Sequence, residues 1–322
     1  MDLGDTRCDH GGAAHQSCPR WTSNLMKDRL VLVAYLLGWW VVRTLPEKMA
    51  YSLFWSLGEF VHKRNGKSIQ RLRSNLHVVK PHLDELGLET LVAPSMSSNM
   101  RYWCDTFRIQ NWSKERILGT VTTTNEELLL NPMKEGRGVV IALPHSGNWD
   151  HAGAYFCSLG IPLVSVAERL KPEALFQKFL RHREAMGFEI LSLDSRSFAT
   201  LLKRAREKRL IALVADRDLS QSGIDVKFFG KNARMPAGPA LLAIKTGIPI
   251  VVAHVSCTIQ GIHIDFHPVV VPSEGTESER ISATVQATAD LFAQGISEHP
   301  EDWHMLQRIW VDEKQVHAEG SR

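Results

Sequence analysis

A histidine and an aspartate stand five residues apart in the stretch 139–155, VVIALPHSGNWDHAGAY. His145 follows an apolar run that ends at Pro144, and Asp150 falls about one turn into the next element. A carboxylate that fixes the tautomer of an imidazole and stabilises the imidazolium leaves the other ring nitrogen able to accept a proton. The spacing therefore indicates a general base, although an aspartate that caps a helix beside a loop histidine gives the same pattern.

No nucleophile of the usual kinds accompanies this pair. The sequence has no G-x-S-x-G motif, and Ser146 is too close along the chain to meet the ring of its neighbour productively. The pair instead suits direct transfer, in which the histidine deprotonates an incoming hydroxyl that then attacks an activated acyl group. Gly147 and Asn148 allow a tight loop whose backbone N–H groups would stabilise developing negative charge at a helix N-terminus.

Charged residues follow two more apolar, strand-like runs. Asp216 and Arg217 come after one run, and Glu168 follows another. Because α/β proteins bind ligands outside the carboxyl ends of their strands, we expect these residues to share one pocket with His145. In that pocket Asp216 would support or replace Asp150 as the partner of the histidine, and Arg217 would bind phosphate. Charged surface turns are the alternative interpretation.

A further arginine precedes a predicted helix. Arg234 stands shortly before Gly238 and Pro239, through which that helix is entered. The unpaired N–H groups of a helix N-terminus and a guanidinium both attract anions. Arg234 is therefore a second candidate for phosphate binding.

Strand-like and helix-like runs alternate from about residue 138 onward. The predicted strands are 139–143, 162–167, 189–193, 210–214, 226–229, 249–255 and 262–271. The predicted helices are 151–159, 172–186, 195–208, 239–245 and 279–295. Two helices end in a glycine followed by Ile-Pro and a strand, at Gly160 and Gly247, as expected of C-caps. This alternation predicts an α/β fold with a mixed central sheet flanked by helices.

Composition limits the classes of protein and of partner. The chain has 322 residues, 44% of them hydrophobic, which suffices for one large α/β domain or two small ones. A formal net charge of +3 suits contact with anionic lipid or phosphorylated ligands but is too small to indicate nucleic-acid binding. Five scattered cysteines argue against a disulfide framework and for a reducing compartment. We expect no metal and no bound cofactor.

Residues 1–25 lack apolar periodicity, and we expect them to form a disordered extension. Four residues in this tract are of types that bind zinc, namely Cys8, His10, His15 and Cys18. A zinc site is the alternative, although such sites need a fixed tetrahedral frame. A further hypothesis takes Met26 as the natural start of the protein.

The part 26–130 is predicted to be helical and to associate with a membrane. Residues 30–42 are apolar and uncharged, but they span only about 20 Å, whereas a bilayer core needs about 20 residues. A second apolar helix, 49–61, runs into a basic tract, a pattern that suggests a protein lying on an anionic membrane surface. Helices buried in the core are the alternative. We expect this part to pack on the catalytic part, 131–315, within one domain.

Six segments, in order, resemble a known family. They are PHSGNWD, AERLKP, REAMGFEIL, DRDLSQSGIDVKFFG, RMPAGPALLAIKTG and HPEDWHMLQRIW. Together they resemble the lipid A biosynthesis acyltransferase branch of the lysophospholipid acyltransferases, and within it the actinobacterial phosphatidylinositol mannoside acyltransferases. The resemblance covers about residues 27–312, and the hallmark H-x-x-x-x-D is matched by His145 and Asp150.

This resemblance implies a membrane-associated O-acyltransferase at the cytoplasmic face of the cell membrane, bound peripherally or monotopically. The enzyme would transfer a long acyl chain from acyl-CoA, a co-substrate, to a mannose hydroxyl of an anionic phosphatidylinositol mannoside. His145 would be the general base, with Asp150 as its support. Asp216 would be a second acidic partner, where relatives often carry glutamate, whose side chain reaches one methylene farther.

The resemblance also implies a set of polar substrate-binding residues, namely Glu168, Arg183, Arg217 and Arg234. Three other functions remain open. The same chemistry would serve another glycolipid, such as a lipid A precursor, or a lysophospholipid. A histidine that activates water would make the protein an acyl-thioester hydrolase. A lipid-binding protein without catalysis would carry the same residues incidentally.

Overall fold

The computed structural model describes residues 19–311 apart from Leu170, Ser195, Leu219 and Gln221. These residues form eleven α-helices, which are α1 (Pro19–Thr44), α2 (Glu47–Arg64), α3 (Lys67–Val79), α4 (Glu85–Arg108), α5 (Lys114–Gly119), α6 (Glu127–Lys134), α7 (Trp149–Ser158), α8 (Glu173–Glu184), α9 (Ser197–Arg206), α10 (Gly238–Thr246) and α11 (Glu277–Glu298). Single 3-10 turns occupy Ile109–Asn111 and Pro300–Asp302.

The same residues form nine strands, which are β1 (Val121–Thr124), β2 (Val139–Leu143), β3 (Leu163–Ala167), β4 (Glu189–Ser192), β5 (Leu210–Val214), β6 (Ile224–Phe228), β7 (Lys231–Met235), β8 (Ile250–Cys257) and β9 (Ile262–Pro268). Seven of them build one sheet in the order β1-β9-β8-β2-β5-β3-β4, and β6 pairs with β7 separately. Within the large sheet only β8 and β9 pair antiparallel. The predicted α/β fold with a mixed sheet is confirmed.

The register of β2 and β5 fixes where the site lies. The two strands run parallel, with Val139 opposite Leu210 and Leu143 opposite Val214, so they end at the same level. Strand β3 pairs with the other side of β5. The carboxyl ends of three neighbouring strands therefore open onto one edge of the sheet, as the charged strand ends predicted.

Helices cover both faces of the sheet, so its central strand β2 is buried along its whole length. Side chains of α9, α10 and α11 form one apolar cluster with the sheet, and side chains of α6 and α7 form another on the opposite face. A strand covered on both faces reads as a continuous apolar run rather than an alternating one. This explains why β2 and β5 were predicted with their observed bounds.

Two strands were missed by the sequence reading, each for a physical reason. Strand β1 is a four-residue edge strand with alternating partly buried and exposed side chains, so it has no apolar run. Strand β7 is rich in polar residues and is held by a two-residue turn after β6, in which Phe229 and Gly230 both have positive φ, at 49° and 75°. Such a turn matches the twist of a hairpin and needs no apolar core.

Both predicted glycine caps are present. Gly160, two residues after the end of α7, has φ 84°, and Gly247, the C-cap of α10, has φ 71°. In each case the glycine takes the left-handed conformation that other residues adopt only with strain, and the chain turns directly into a strand.

Side-chain hydrogen bonds tie the N-terminal helices to the C-terminal segment and to α7. Asn75 of α3 donates from Nδ2 to the carbonyl oxygens of Met305 and Gln307, at 2.8 and 3.0 Å. Tyr102 of α4 reaches the first turn of α7, where its hydroxyl donates to Asp150. Helix α4 therefore lies against the edge of the sheet that carries the site.

Helix α1 begins at Pro19, so the last part of the predicted disordered extension 1–25 is helical. The proposed zinc ligands Cys8, His10, His15 and Cys18 lie outside the described residues. In the described part of the chain, no helix combines the length and the apolar character that crossing a membrane requires.

Candidate active site

His145 and Asp216 form a hydrogen-bonded pair at the carboxyl ends of β2 and β5. Nδ1 of the imidazole lies 2.6 Å from Oδ1 of Asp216, and the backbone N–H of His145 donates to Oδ2 at 3.0 Å. Asp216 is fully buried, whereas 40% of the His145 side chain is exposed. The aspartate therefore orients the ring from below, and the ring keeps one face toward solvent.

The charges around this pair stabilise the imidazolium. Burial lowers the pKa of His145, but the charge and the hydrogen bond of Asp216 outweigh burial, so the pKa lies above its ordinary value of 6.5. Arg217 acts to lower this pKa and Glu168 acts to raise it. Burial raises the pKa of Asp216, yet His145 and a hydrogen bond from Trp303 bring it below its usual 3.8. The pair is therefore a carboxylate poised against a proton-accepting ring.

Asp150, which we expected to support His145, has other partners. It lies in the first turn of α7, and its carboxylate accepts from Arg183 of α8, with Nε at 2.7 Å and Nη2 at 3.1 Å. Tyr102 of α4 donates its hydroxyl to Oδ2 at 3.2 Å. The prediction of Asp150 as the direct partner of the imidazole is corrected, because β5 brings Asp216 to Nδ1 instead. Although the side chain of Asp216 is one methylene shorter than a glutamate, its Oδ1 lies within hydrogen-bond distance of the ring.

In the Asp150–Arg183 ion pair the carboxylate is buried, whereas the arginine side chain is partly exposed. Burial raises the pKa of Asp150, but the adjacent guanidinium outweighs this and holds the pKa below 3.8. The same carboxylate raises the pKa of Arg183. A buried bidentate pair of this kind ties α7 to α8, and the Tyr102 hydroxyl ties both to α4.

The loop between His145 and α7 is shaped by a close approach of backbone. Gly147 has φ 57°, and a Cβ at this position would lie 2.5 Å from the carbonyl oxygen of Val255. Asn148 caps α7, since its side chain accepts the N–H of His151 at 2.9 Å. Only glycine fits position 147, and the cap fixes where the helix begins.

A C-terminal segment, Asp302–His304, lies along this loop, and we call it the strap. His304 donates its N–H to the carbonyl of His145 at 2.7 Å, and Gly147 donates to the carbonyl of Asp302 at 2.9 Å. Between these bonds Ser146 and Trp303 form a β-bridge. The strap thus holds the backbone of the histidine loop in place over three successive residues.

Trp303 of the strap also reaches the acidic partner. Its Nε1–H donates to Oδ2 of Asp216 at 3.0 Å. Sequence reasoning missed this contact, because Trp303 lies 87 residues after Asp216 and no local pattern links them. The one available signal was that the segment HPEDWHMLQRIW, which contains the strap, carries part of the family resemblance.

The other predicted site residues divide into two groups. Glu168 follows β3, is exposed, and acts electrostatically on His145. Arg217 follows Asp216 directly, and its Nε donates to the carbonyl of Arg308 at 2.8 Å. Both therefore belong to the edge that carries the histidine, as predicted.

Arg234 lies in a different setting from the expected helix N-terminus. It belongs to β7, where the hairpin register puts it opposite Asp225, and its Nε donates to Oδ1 of that residue at 2.6 Å. This cross-strand pair gives Arg234 a structural task in the hairpin, and its role in phosphate binding stays a prediction.

An apolar cavity of about 100 Å³ lies between α7 and the sheet. Trp149, Asp150 and Arg183 form part of its lining, and the rest is almost entirely apolar. Among the residues that line it are Leu143, Gly153, Phe156, Val166 and Phe188. The cavity therefore lies beside the first turns of α7, the helix that follows the histidine loop.

One group of possible metal ligands occurs among the described residues. Ligand atoms of His299, Glu301 and Asp302 lie within 4.8 Å of one another. The carboxylate of Asp302 already accepts from the Ser98 hydroxyl at 2.5 Å and from the backbone N–H of Cys257 at 2.7 Å. The buried carboxylate of Asp302 is therefore hydrogen-bonded within the protein, where it anchors the strap.

Comparison with known proteins gives concordant results. A family model described as bacterial lipid A biosynthesis acyltransferase matches residues 18–312. The chain is 40% identical over 284 residues to a phosphatidylinositol mannoside acyltransferase of Mycolicibacterium smegmatis, covering 87% of this chain and 91% of that protein. It is 38% identical over 288 residues to proteins of the same name from two strains of Mycobacterium tuberculosis, covering 86% of this chain and 88% of each.

Proposed function

This chain belongs to the bacterial lipid A biosynthesis acyltransferase family, and from that premise we propose that it acylates a mannose hydroxyl of a phosphatidylinositol mannoside with a long-chain acyl-CoA as donor. The observation that carries the proposal is the His145–Asp216 pair, held in register at the ends of β2 and β5. The choice of acceptor is supported by the names of relatives that are 38% to 40% identical to the chain over most of its length.

In the proposed reaction the base is Nε2 of His145. Nδ1–H donates to Asp216, so the lone pair of the imidazole is on Nε2. Nε2 takes the proton of the mannose hydroxyl as its oxygen attacks the thioester carbonyl. The carbon–sulfur bond then breaks, and the CoA sulfur leaves with the electron pair and is protonated from the imidazolium. Asp216 stabilises the imidazolium between the two proton transfers, so no covalent intermediate on the protein is required.

The oxyanion that forms on the thioester carbonyl needs stabilisation. The N-terminus of α7 lies directly after the histidine loop, and its unpaired N–H groups provide positive potential there. Arg217, beside Asp216, adds a positive charge at the same edge and is the residue that we assign to a phosphate of CoA or of the acceptor. Glu168 and the Asp150–Arg183 pair would border the polar part of the site.

The apolar cavity beneath α7 is where we place part of the acyl chain. Trp149, Asp150 and Arg183 are among its lining residues, and most of the remaining lining is apolar. Burial of methylene groups stabilises a bound chain by about 0.8 kcal/mol each. Phe156 lines this cavity, whereas Tyr155 donates its hydroxyl to Glu126 on the outer side of α7.

We further propose that α1 and α2 rest on the cytoplasmic face of the cell membrane, from which the enzyme draws its acceptor. Large apolar side chains are exposed along both helices, among them Trp40, with 62% of its surface exposed, and Phe60, with 53%. Basic residues Lys63 and Arg64 end α2 and would meet anionic lipid. Exposed apolar area of this extent is typical of a protein that binds a membrane or a partner.

The decisive experiment incubates the purified protein with palmitoyl-CoA and a phosphatidylinositol mannoside and follows free CoA and acylated lipid by mass spectrometry. His145→Ala should reduce both products by about 10²- to 10⁴-fold, the usual contribution of a general base. His263→Ala is the matched control, because His263 lies in β9 and its ring bonds to threonines of β1 rather than to the histidine loop.

Each outcome has a clear meaning. Equal amounts of CoA and acylated lipid that vanish together in His145→Ala support the proposal. CoA release without acylated lipid points to another acceptor or to a thioester hydrolase, and addition of a lipid A precursor or a lysophospholipid separates these two. Full activity in His145→Ala would overturn the assignment of the base.

A further inference from the structure

The two oxygens of Asp216 have different partners. Oδ1 faces Nδ1 of His145 at 2.6 Å. Oδ2 accepts two hydrogen bonds of 3.0 Å, one from the backbone N–H of His145 and one from the indole N–H of Trp303. The negative charge of the carboxylate is therefore divided between the proton-accepting histidine and a tryptophan that takes no part in the proton transfer.

Trp303 has little freedom to move away from this contact. Its side chain is fully buried, and its ring packs on Phe228 with centroids 6.0 Å apart. Its backbone forms a bridge with Ser146 in the histidine loop. The preceding residue, Asp302, is anchored through both of its carboxylate oxygens. The indole N–H is thus delivered to Asp216 by a rigid frame.

We propose that Trp303 is a positioning residue for acyl transfer, acting through Asp216: its indole N–H shares the charge on Oδ2 and thereby sets how tightly the carboxylate holds the proton on His145. This inference rests on the proposed function of His145 as the base. A base that holds its proton too tightly is already protonated at working pH, and it returns the proton slowly to the leaving group.

The direction of the effect follows from the groups that face the imidazole. These are Asp216 and Arg217 after β5, Glu168 after β3 and His304 of the strap. Loss of the indole N–H concentrates more charge on Asp216, while the backbone N–H of His145 still keeps the carboxylate in place. The pKa of His145 should therefore rise.

The test compares Trp303→Phe with Trp310→Phe. Trp310 is the matched control because it packs on the same Phe228 ring, with centroids 5.9 Å apart. Its indole nitrogen is buried, and among the residues that the structure describes it has no hydrogen-bond partner. Both substitutions replace an indole that packs on Phe228 by a smaller ring, but only Trp303→Phe removes a hydrogen-bond donor to Asp216.

Two measurements are made on the full-length proteins. The first is the pH dependence of kcat/KM, in which Trp303→Phe should move the acid limb upward by about half a pH unit, since a hydrogen bond to a charged group is lost. The second is the titration of the His145 ring by NMR on protein labelled with ¹⁵N-histidine, with His145→Gln to assign the signal. The ring pKa should rise by a similar amount.

In the control, Trp310→Phe should leave both midpoints unchanged. A midpoint in Trp303→Phe that does not move, or that falls, would overturn the proposal, whatever the loss of activity. The NMR titration needs no substrate, so it separates the two claims. If the ring pKa rises in Trp303→Phe but His145→Ala retains acyl transfer, Trp303 acts on His145 through Asp216 as proposed. The assignment of His145 as the general base would then be refuted.

Discussion

Two buried aspartates border the histidine loop, one after β5 and one in the first turn of α7. Asp216 faces the imidazole of His145, and Asp150 faces the guanidinium of Arg183. Both carboxylates are buried and both have lowered pKa values. Their partners differ, however, and an imidazole can give up its proton near neutral pH whereas a guanidinium cannot. The difference teaches that burial and charge alone do not identify a catalytic acid.

The largest expected effect comes from Asp216→Asn. An amide cannot stabilise the imidazolium, and it can present the wrong group to Nδ1, so kcat should fall by about 10²- to 10⁴-fold with little change in KM. Steady-state kinetics with palmitoyl-CoA would measure this. Asp150→Asn is the paired variant, and a loss of kcat as large as that of Asp216→Asn in a protein of unchanged stability would erase the distinction between the two acids.

The structural role of Asp150 can be tested by measuring the free energy of unfolding of its variants. Asp150→Ala leaves the mostly buried guanidinium of Arg183 without its counter-charge. The free energy of unfolding should fall by about 3 kcal/mol, the lower end of the range for a broken buried ion pair, as measured by urea denaturation. The double variant Asp150→Leu/Arg183→Met should recover much of the loss, because it removes both charges. Because the folded pKa of Asp150 lies below 3.8, the ion pair is kept at neutral pH and is lost only as the pH falls below that value.

A double variant no more stable than Asp150→Ala would contradict this account, since the cost would then lie in lost packing rather than in the unpaired charge. Asp216→Asn on the same denaturation curve gives the reference for a buried aspartate that has a different partner.

The smallest effect expected is a shift of the pH profile. As the proposed base, His145 must be neutral to accept a proton, and its pKa lies above 6.5. The kcat/KM of the wild type should therefore fall on the acid side with a midpoint above that value. The residual activity of Asp216→Asn should fall with a lower midpoint, because burial then acts on the ring without an opposing charge. Asp150→Asn should leave the midpoint close to that of the wild type, and a clear shift would show that both acids act on the histidine.

The parts of the fold that were readable from sequence are those set by local burial. Strands β2 and β5 were predicted with their observed bounds because each is a continuous apolar run. The glycine caps at Gly160 and Gly247 could be predicted because glycine is the residue that adopts left-handed backbone without strain. Strand β7 was missed because its stability comes from a tight turn and from cross-strand polar pairs.

For the site, the sequence predicted which residues follow the strands but not which of their side chains pair. Asp216 was a candidate partner of His145 because both follow apolar runs, but the order of strands in a sheet is not encoded locally. Asp150 is the nearer acid along the chain, so the sequence favours it as the partner of the histidine. Trp303 could not be found, since its contact depends on how the last part of the chain crosses the loop.

The strap also has a consequence for the order in which the protein is made. A nascent chain that has emerged as far as α10 already contains His145 and Asp216 but lacks Asp302–His304. Until that segment emerges, Gly147 has no carbonyl to donate to, and the aspartate lacks its indole donor. The frame of the histidine loop is therefore complete only after the segment that follows α11 has been made, although both members of the His145–Asp216 pair are present earlier.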